Sequence, residues 1–358
     1  MVHENVELQG VDHIRFVVGN ARQSAYFYRN AFGFDIVAYS GLETGVRHEA
    51  GYVLTQGDIT FVLASPLGAI HQYNQRLTLH GDGVADIAFA VSDVTEAYSQ
   101  AIANGATPVR APAPLEDKQG VCEVASIKTF GDTTHTFIDR RRYRGVFMPG
   151  YLPLEADRYS QRNTRPGGLK SIDHLVGNVD NGTLSQWVKF YEDVLGFERV
   201  ASGTSREIGA ENTTTLRRSV AHGKGDLRIS ISEPGRSRQK SLTDEFLEFY
   251  RGAGVQHIAF TTANIFDTVV NLKANDVSFL PIPVNYQRPT ADVTDEEGRD
   301  WELFNKLGVM MREDSEGILL QVFTKPVSDR PTLFFEIVER LKTMPELTLP
   351  TRKTGATI

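Results

Sequence analysis

Short runs of alternating apolar and polar residues recur along the chain, and each run has the length of a β-strand. In residues 227–232, LRISIS, the apolar side chains fall on one face and the polar side chains on the other. Amphipathic stretches with aromatic residues on one face follow several of these runs and predict helices. The predicted helices end at Gly33, Gly105, Gly196 and the Asn275–Asp276 pair.

The second half of the chain repeats the first. Four pairs of segments match in the same order, namely 11–41 with 172–203, 56–66 with 224–234, 81–109 with 252–280, and 134–140 with 334–340. Each half therefore holds two strand–helix–strands units. The pattern predicts an α+β fold of tandem βαβββ modules, which form two curved, barrel-like mixed sheets with helices outside.

The join between the halves is rich in proline, glycine and charged residues. It reads GVFMPGYLPLEADRYSQRNTRPGGLK and spans residues 145–170. The sequence therefore predicts an N-terminal domain over residues 1–145, a linker over 146–170 and a C-terminal domain over 171–358.

Composition narrows the class of protein. The chain has 358 residues, of which 41% are hydrophobic and 23% charged, enough for two sizeable cores. Its net charge of −7 argues against nucleic acid or an anionic membrane as a partner. A single cysteine, Cys122, rules out an internal disulfide framework. We also find no signal peptide and no apolar run of about 18 residues, so we expect a cytoplasmic protein.

Histidines and a carboxylate occupy matching places in the repeat. His257 lies inside the apolar segment AGVQHIAF, and the repeat aligns it with Asp86 of the first half. His174 aligns with His13, and Glu336 aligns with Thr136. Only the second half therefore presents two imidazoles and one carboxylate, on three different strands. This set leaves coordination positions open and favours non-haem Fe(II).

Each of these residues has an alternative interpretation. A histidine on a buried strand often only satisfies a hydrogen bond, and Glu336 could be a protonated buried acid. An ionised carboxylate among the phenylalanines of TLFFEIVER is costly unless it is paired or metal-bound, which favours the ligand role. His13 is interpreted as a structural residue, because one of its would-be partners is a threonine.

Three segments carry a resemblance to a known family. SIDHLVGNV, EFLEFYRGAGVQHIAF and GILLQVFTKPVSDRPTLFFEIVER closely resemble the 4-hydroxyphenylpyruvate dioxygenase family of the vicinal-oxygen-chelate superfamily, and the resemblance covers residues 8–340. It implies Fe(2+) as cofactor, with O2 and a 2-oxo acid as small-molecule partners. The default reaction is conversion of 4-hydroxyphenylpyruvate to homogentisate and CO2.

The resemblance also implies residues that contact the substrate. Gln256 and Gln321 match family glutamines, and Phe323 and Phe335 match family aromatic residues near the substrate ring. The alternatives are ordinary sheet hydrogen bonding for the glutamines and plain core packing for the phenylalanines.

The chain departs from the family at several pocket positions. Ser230 and Ser232 replace a proline and an asparagine, and Leu242 replaces a glutamine. A pocket serine corresponds to Arg217, unless the alignment slips by one residue and Arg218 points inward. An inward Arg217 favours a second anionic or strongly accepting group on the substrate, and the alternative is a solvated strand residue. After Arg340 the family continues into a helix that caps the cavity, and residues 341–358 predict no such helix.

Three functions remain open from the sequence. The leading hypothesis is an Fe(II)-dependent 2-oxo acid dioxygenase. A second is the same iron chemistry on another 2-oxo acid, or the benzylic hydroxylation of the related 4-hydroxymandelate synthase. A third, from a different class, is a metal-free binding module on the same fold. We expect a homodimer or a homotetramer.

Overall fold

Two mixed sheets, one from each half of the chain, organise the molecule. The computed structural model describes residues 6–154, 165–200, 215–223, 225, 227–236, 239–282, 301–314 and 317–341. Each sheet is curved into a half-barrel.

The first half contains, in chain order, β1 (Leu8–Val17), α1 (Ala21–Phe32), β2 (Asp35–Ser40), a 3₁₀ turn (Leu42–Thr44), β3 (Glu49–Gln56), β4 (Ile59–Pro66), α2 (Gln72–His80), β5 (Gly83–Val91), α3 (Val94–Ala103), β6 (Pro108–Asp117), β7 (Gly120–Lys128), β8 (Thr134–Tyr143) and β9 (Leu152–Pro153). Its sheet has the strand order β6-β7-β8-β5-β1-β4-β3-β2-β9.

The second half contains β10 (Leu169–Asn178), α4 (Leu184–Leu195), β11 (Glu198–Arg199), β12 (Thr215–His222), β13 (Leu227–Pro234), α5 (Leu242–Tyr250), β14 (Gly254–Thr262), α6 (Ile265–Ala274), α7 (Trp301–Leu307), β15 (Met310–Asp314), β16 (Gly317–Phe323) and β17 (Phe334–Leu341). Its sheet has the strand order β11-β12-β13-β10-β14-β17-β16-β15.

The two sheets share one central arrangement, as the sequence repeat predicts. In the first sheet β1 and β5 pair antiparallel, and each has a parallel neighbour, β4 and β8. In the second sheet β10 and β14 form the antiparallel centre, flanked by the parallel strands β13 and β17. The predicted α+β fold of tandem modules is therefore confirmed.

The stretch expected to be a linker contributes to the first sheet. Strand β9 pairs antiparallel with β2, through Ala38 opposite Pro153 and Tyr39 opposite Leu152. The first sheet thus extends to residue 153, and the second begins at Leu169. The division at residues 145 and 171 remains a prediction.

Local sequence fixes the helix ends. The Asn20 side chain accepts a hydrogen bond from the backbone N–H of Gln23 and caps the start of α1. Helices α1 and α4 both end on a glycine in the left-handed conformation, Gly33 at φ 82° and Gly196 at φ 71°. These ends match the predicted ones.

The main core lies between the sheets and their helices. Phe335 of β17 is fully buried, and its ring lies 5.1 Å from that of Phe32 and 5.2 Å from that of Phe260. Phe61 of the first sheet joins the same group. Aromatic side chains from both halves therefore form one continuous core.

Within the part of the chain that the structure describes, no helix combines the length and the apolar character needed to cross a bilayer.

A buried histidine links the two halves. The Nδ1–H of His135 on β8 donates to the carbonyl oxygen of Ile87, and its Nε2 lies 2.9 Å from the Tyr191 hydroxyl on α4. Burial lowers the pKa of His135 to about 4, against the opposing effect of the Ile87 carbonyl. The imidazole is therefore neutral at neutral pH, which suits this pair of bonds.

We predict that His135 makes the folded protein acid-sensitive. Its pKa is lower in the folded state than in the unfolded state, so its contribution is present above about pH 6.5 and is lost as pH falls toward 4. The free energy of unfolding falls by up to about 1.4 kcal/mol per pH unit in that window. Urea unfolding across this range should show a shallower pH dependence for His135→Gln than for the unaltered chain. If the free energy of unfolding depended equally on pH in both proteins, His135 would not be the source of the acid sensitivity.

Candidate metal centre

Three side chains from three adjacent strands meet on one face of the second sheet. His174 Nε2 lies 3.1 Å from Glu336 Oε2, and His257 Nε2 lies 3.5 Å from the same oxygen. One potential ligand atom from each residue falls within 4.8 Å of the others. The strand register explains the meeting, because His174 and Glu336 both stand opposite Ala259 of β14. We call this side of the sheet the ligand face.

Hydrogen bonds orient both imidazoles. His174 Nδ1 lies 2.7 Å from Asp173 Oδ2, and His257 Nδ1 lies 3.2 Å from Gln256 Oε1. Each Nδ1–H therefore donates to an oxygen, and each Nε2 faces the other ligand atoms. Ligating histidines are usually oriented by such an acceptor behind the ring.

The charges within the group are strongly coupled. Burial alone would lower the pKa of His174, but Glu336 and Asp173 raise it to about 9. Burial also raises the pKa of Glu336, yet the two histidines outweigh it and lower the value to about 2. Burial lowers the pKa of His257 to about 4, although Glu336 opposes that shift. The group thus holds a carboxylate beside one protonated and one neutral imidazole.

The donor set fits a divalent metal ion. His257 Nε2 is buried and makes no hydrogen bond within the described residues, although it faces the cluster. A buried nitrogen without a partner is costly, and a metal ion shared with His174 and Glu336 would satisfy it. Two imidazoles and one carboxylate leave further coordination positions for substrate.

A β-bulge brings Gln256 to the same side as its neighbour. On β10, Val176 and Gly177 are consecutive, whereas their partners on β14 are His257 and Val255. Gln256 is the extra residue, so its side chain can lie beside that of His257 instead of on the opposite face. The structure therefore gives Gln256 a contact with a candidate ligand.

Three of the altered pocket positions, Ser230, Ser232 and Arg217, lie on the ligand face. Ser230 stands opposite Val176, which in turn stands opposite His257. Ser232 follows two residues later, and Arg217 of β12 stands opposite it. Arg217 Nε donates to Ser232 Oγ at 3.0 Å. The register thus places Arg217 on the ligand face, and its exposed neighbour Arg218 lies on the other.

The family aromatic residues divide between the two faces of the sheet. Phe323 stands opposite Glu336, and its ring lies 6.0 Å from the His257 ring. Phe334 stacks on His257 with ring centroids 4.8 Å apart. Phe335 instead packs in the core against Phe32 and Phe260, whereas Phe334 lies on the ligand face. The reason is alternation along β17, because the neighbour of a ligand-face residue faces away. The predicted place of Phe335 beside the substrate ring stays a prediction.

The remaining predicted positions are less closely tied to the ligands. Gln321 stands opposite Val338, two residues beyond Glu336, and therefore shares the ligand face. Leu242 is the half-buried first residue of α5 and lies outside the sheet. The predicted absence of a capping helix concerns residues 342–358, which lie outside the described residues.

Three further residues of the site, Asp173, Arg340 and Asn178, were not predicted from the sequence. Asp173 accepts bonds from Arg340 Nε at 2.7 Å and Nη2 at 3.0 Å, which anchors the acceptor behind His174. Asn178, on the ligand face beside Ser232, is fully buried. One signal was present, because the Asp-His pair and the later arginine both recur in the repeat as Asp12, His13 and Arg140.

The equivalent place in the first half has a different chemistry. His13 is buried, and Asp86 accepts hydrogen bonds from the hydroxyls of Thr134 and Thr136. The Phe147 ring covers His13 edge-on, with centroids 5.2 Å apart. Phe147 comes from the stretch expected to be a linker, and its ring packs against the imidazole of His13. His13 is therefore consistent with a structural role.

A family model matches both halves of the chain. The Glyoxalase/Bleomycin resistance protein/Dioxygenase superfamily model matches residues 10–132 and again residues 171–303. The chain is thus a member of this superfamily with two tandem domains of the same kind.

Curated relatives narrow the class. The 4-hydroxyphenylpyruvate dioxygenase of Dictyostelium discoideum is 40% identical over 339 residues, covering 93% of this chain and 92% of the relative. That of Xenopus tropicalis is 40% identical over 338 residues, covering 92% and 85%. A solved mutant of 4-hydroxymandelate synthase from Streptomyces coelicolor superposes with a TM-score of 0.80 at 26% identity, covering 94% of each chain. The chain belongs to the 4-hydroxyphenylpyruvate dioxygenase family.

We predict that His174→Ala, His257→Ala and Glu336→Ala each abolish metal binding while the fold persists. Losing a residue that only orients a ligand typically costs about 10- to 100-fold in metal affinity, and losing a ligand should cost more. Metal content by mass spectrometry and circular dichroism test this. His13→Ala is the matched control and should retain the metal. If only the His13→Ala variant lost its metal, the metal centre would lie in the first half and our assignment to the second half would be wrong.

We also predict that metal affinity rises with pH. Metal must displace the proton that His174 holds below about pH 9. Apparent affinity for Co(II) should therefore rise about tenfold per pH unit between about pH 6.5 and about pH 8.5. Asp173→Asn removes one group that raises the His174 pKa, so its affinity should depend less on pH. If the Co(II) affinity of the unaltered protein did not change with pH, metal binding would not be coupled to deprotonation of His174.

Proposed function

We propose that the protein is an Fe(II)-dependent dioxygenase that converts 4-hydroxyphenylpyruvate and O2 to homogentisate and CO2. The observation that carries the proposal is the meeting of His174, His257 and Glu336 on three adjacent strands. Membership of the family supports the same reaction, because its curated members bear this name.

The three residues would hold the metal through His174 Nε2, His257 Nε2 and a Glu336 oxygen. When bound, Fe(II) supplies the redox chemistry with O2 that a protein side chain cannot provide. Asp173 and Gln256 keep the two imidazoles oriented, since each accepts an Nδ1–H. The chain thus contributes a preorganised set of ligands with open positions for a bidentate oxo acid.

Apolar rings form one wall of the proposed substrate site. Phe334 and Phe323 both contact the His257 ring, and their own centroids lie 6.1 Å apart. Such a wall would pack against an aromatic ring and exclude water from the reacting atoms. Gln321, on the same face, would hydrogen-bond the oxo acid.

A second candidate is benzylic hydroxylation to 4-hydroxymandelate. The structural similarity to 4-hydroxymandelate synthase supports it, because that enzyme shares the fold over 94% of both chains. The two reactions start from the same substrate and differ only in product, so product analysis separates them.

We predict that protein purified without oxygen holds about one Fe(II) per chain and yields homogentisate from 4-hydroxyphenylpyruvate. Oxygen uptake, CO2 release and chromatography of the product measure the reaction. Glu336→Gln keeps the side-chain size, removes the charge and should abolish turnover. Accumulation of 4-hydroxymandelate would favour the second candidate. Absence of both iron and oxygen uptake would leave the metal-free binding module as the remaining hypothesis.

The expected homodimer or homotetramer and the cytoplasmic location remain predictions. Sedimentation of the purified protein tests the first, and fractionation of cells tests the second.

A further inference from the structure

A cavity opens on the first sheet, at the place that corresponds to the metal ligands of the second sheet. Its volume is about 710 Å³, and small-molecule sites commonly have about 300 to 1,000 Å³. His13, Asp86 and Thr136 line it, and these are the residues that the repeat aligns with the three metal ligands. The strand register brings them together, because His13 and Thr136 both stand opposite Ala88 of β5. The first half thus has room for a ligand but a different set of polar groups.

Asp86 is a carboxylate whose hydrogen bonds are incomplete. The residue is 6% exposed and lines the cavity. The hydroxyls of Thr134 and Thr136 both donate to the same oxygen, Oδ1. Among the described residues, none donates to Oδ2 and none forms an ion pair with this carboxylate. A buried carboxylate without a cationic partner is costly, so a cation bound in the cavity would stabilise it.

The hydroxyl groups beside Asp86 have already used their protons. Thr134 and Thr136 give theirs to the carboxylate. Ser126 Oγ lies 2.9 Å from Thr136 Oγ1, and Ser126 must be the donor because the Thr136 proton is engaged. The free position at Asp86 Oδ2 is therefore an acceptor. An ammonium group has three N–H donors and no acceptor, so it matches this position in charge and in hydrogen bonding.

Two of the three arginines that line the cavity are engaged elsewhere. Arg15 stands opposite Asp86 but donates to Glu49, which compensates its charge. Arg76 donates to two backbone carbonyl oxygens and to a tyrosine hydroxyl. Arg110 is exposed on β6. The carboxylate of Asp86 is therefore the buried charge that a ligand in this cavity would meet.

Apolar side chains form much of the remaining lining. Leu79 is 41% exposed and Val109 is 49% exposed, so apolar surface is left open to solvent there. Covering such surface with an apolar ligand is favourable. The apolar lining residues are Leu79, Ala85, Val109, Leu115, Val124 and Met148. The cavity thus combines one buried anionic acceptor with apolar walls.

We propose that this cavity is a second ligand site, which binds a primary amine that carries a small apolar or aromatic group. The ammonium group donates to Asp86 Oδ2, and the apolar group lies against the walls. All the lining residues belong to the first half of the chain, so the site does not depend on the proposed function at the metal centre.

The test measures binding of two ligands of similar shape to the metal-loaded protein by calorimetry. 2-Phenylethylamine carries the ammonium group, and 2-phenylethanol replaces it with a neutral hydroxyl. We expect the amine to bind about 10-fold or more tightly than the alcohol, because its hydrogen bond to Asp86 is charge-assisted. This comparison needs no variant. Equal affinity for the two ligands, or no binding of the amine, would overturn the proposal.

Variants then locate the bound amine. Asp86→Asn keeps the side-chain size and removes the charge, so the two affinities should come within about threefold of each other. Asp58→Asn is the matched control, since it removes the same charge from the exposed turn between β3 and β4, and it should bind the amine as the unaltered protein does. His257→Ala alters the metal centre in the other half and should also bind the amine normally. Loss of amine binding in His257→Ala, with Asp86→Asn unaffected, would place the amine at the metal centre and refute the second site.

Discussion

The carboxylate of Glu336 is the charge on which the second half of the molecule depends. It lies almost fully buried on a strand of apolar residues, where an unpaired charge is expensive. Two imidazoles reach it from neighbouring strands, and one of them carries a compensating proton. A divalent cation can take the place of that proton. Strands β10, β14 and β17 lie at the centre of the sheet, and Arg340 bonds to Asp173. The exchange of the proton for the cation therefore takes place within one sheet.

Much of this site could be predicted because the two halves of the chain can be compared with each other. The repeat aligns His174, His257 and Glu336 with first-half residues of another type, so the difference in chemistry is visible without coordinates. Alternation along a strand then predicts which neighbours share a face. Applying it to β17 separates Phe334, on the face of the ligands, from Phe335, on the face of the core. The βαβββ order was equally predictable, since glycine and asparagine caps mark the helix ends.

Other features depend on strand pairing that no local pattern encodes. The choice between Arg217 and Arg218 needed the register of β12 against β13. The bond from Arg340 to Asp173 joins residues that are far apart in the chain. Phe147 looked like part of a linker, because its proline- and glycine-rich surroundings say nothing about the ring that it covers. These relations arise only when separate strands are brought together in one sheet.

The bulge at Gln256 has a consequence for how this sequence can evolve. The first half carries the same irregularity, with Ala85 as its extra residue, although the chemistry of the two halves differs. Substitution at either position leaves the spacing intact, and the two halves have accepted different side chains there. Loss of one residue would reverse the facing of the residues that precede it on β14 relative to His257. This strand therefore tolerates changes of side chain far more readily than changes of length.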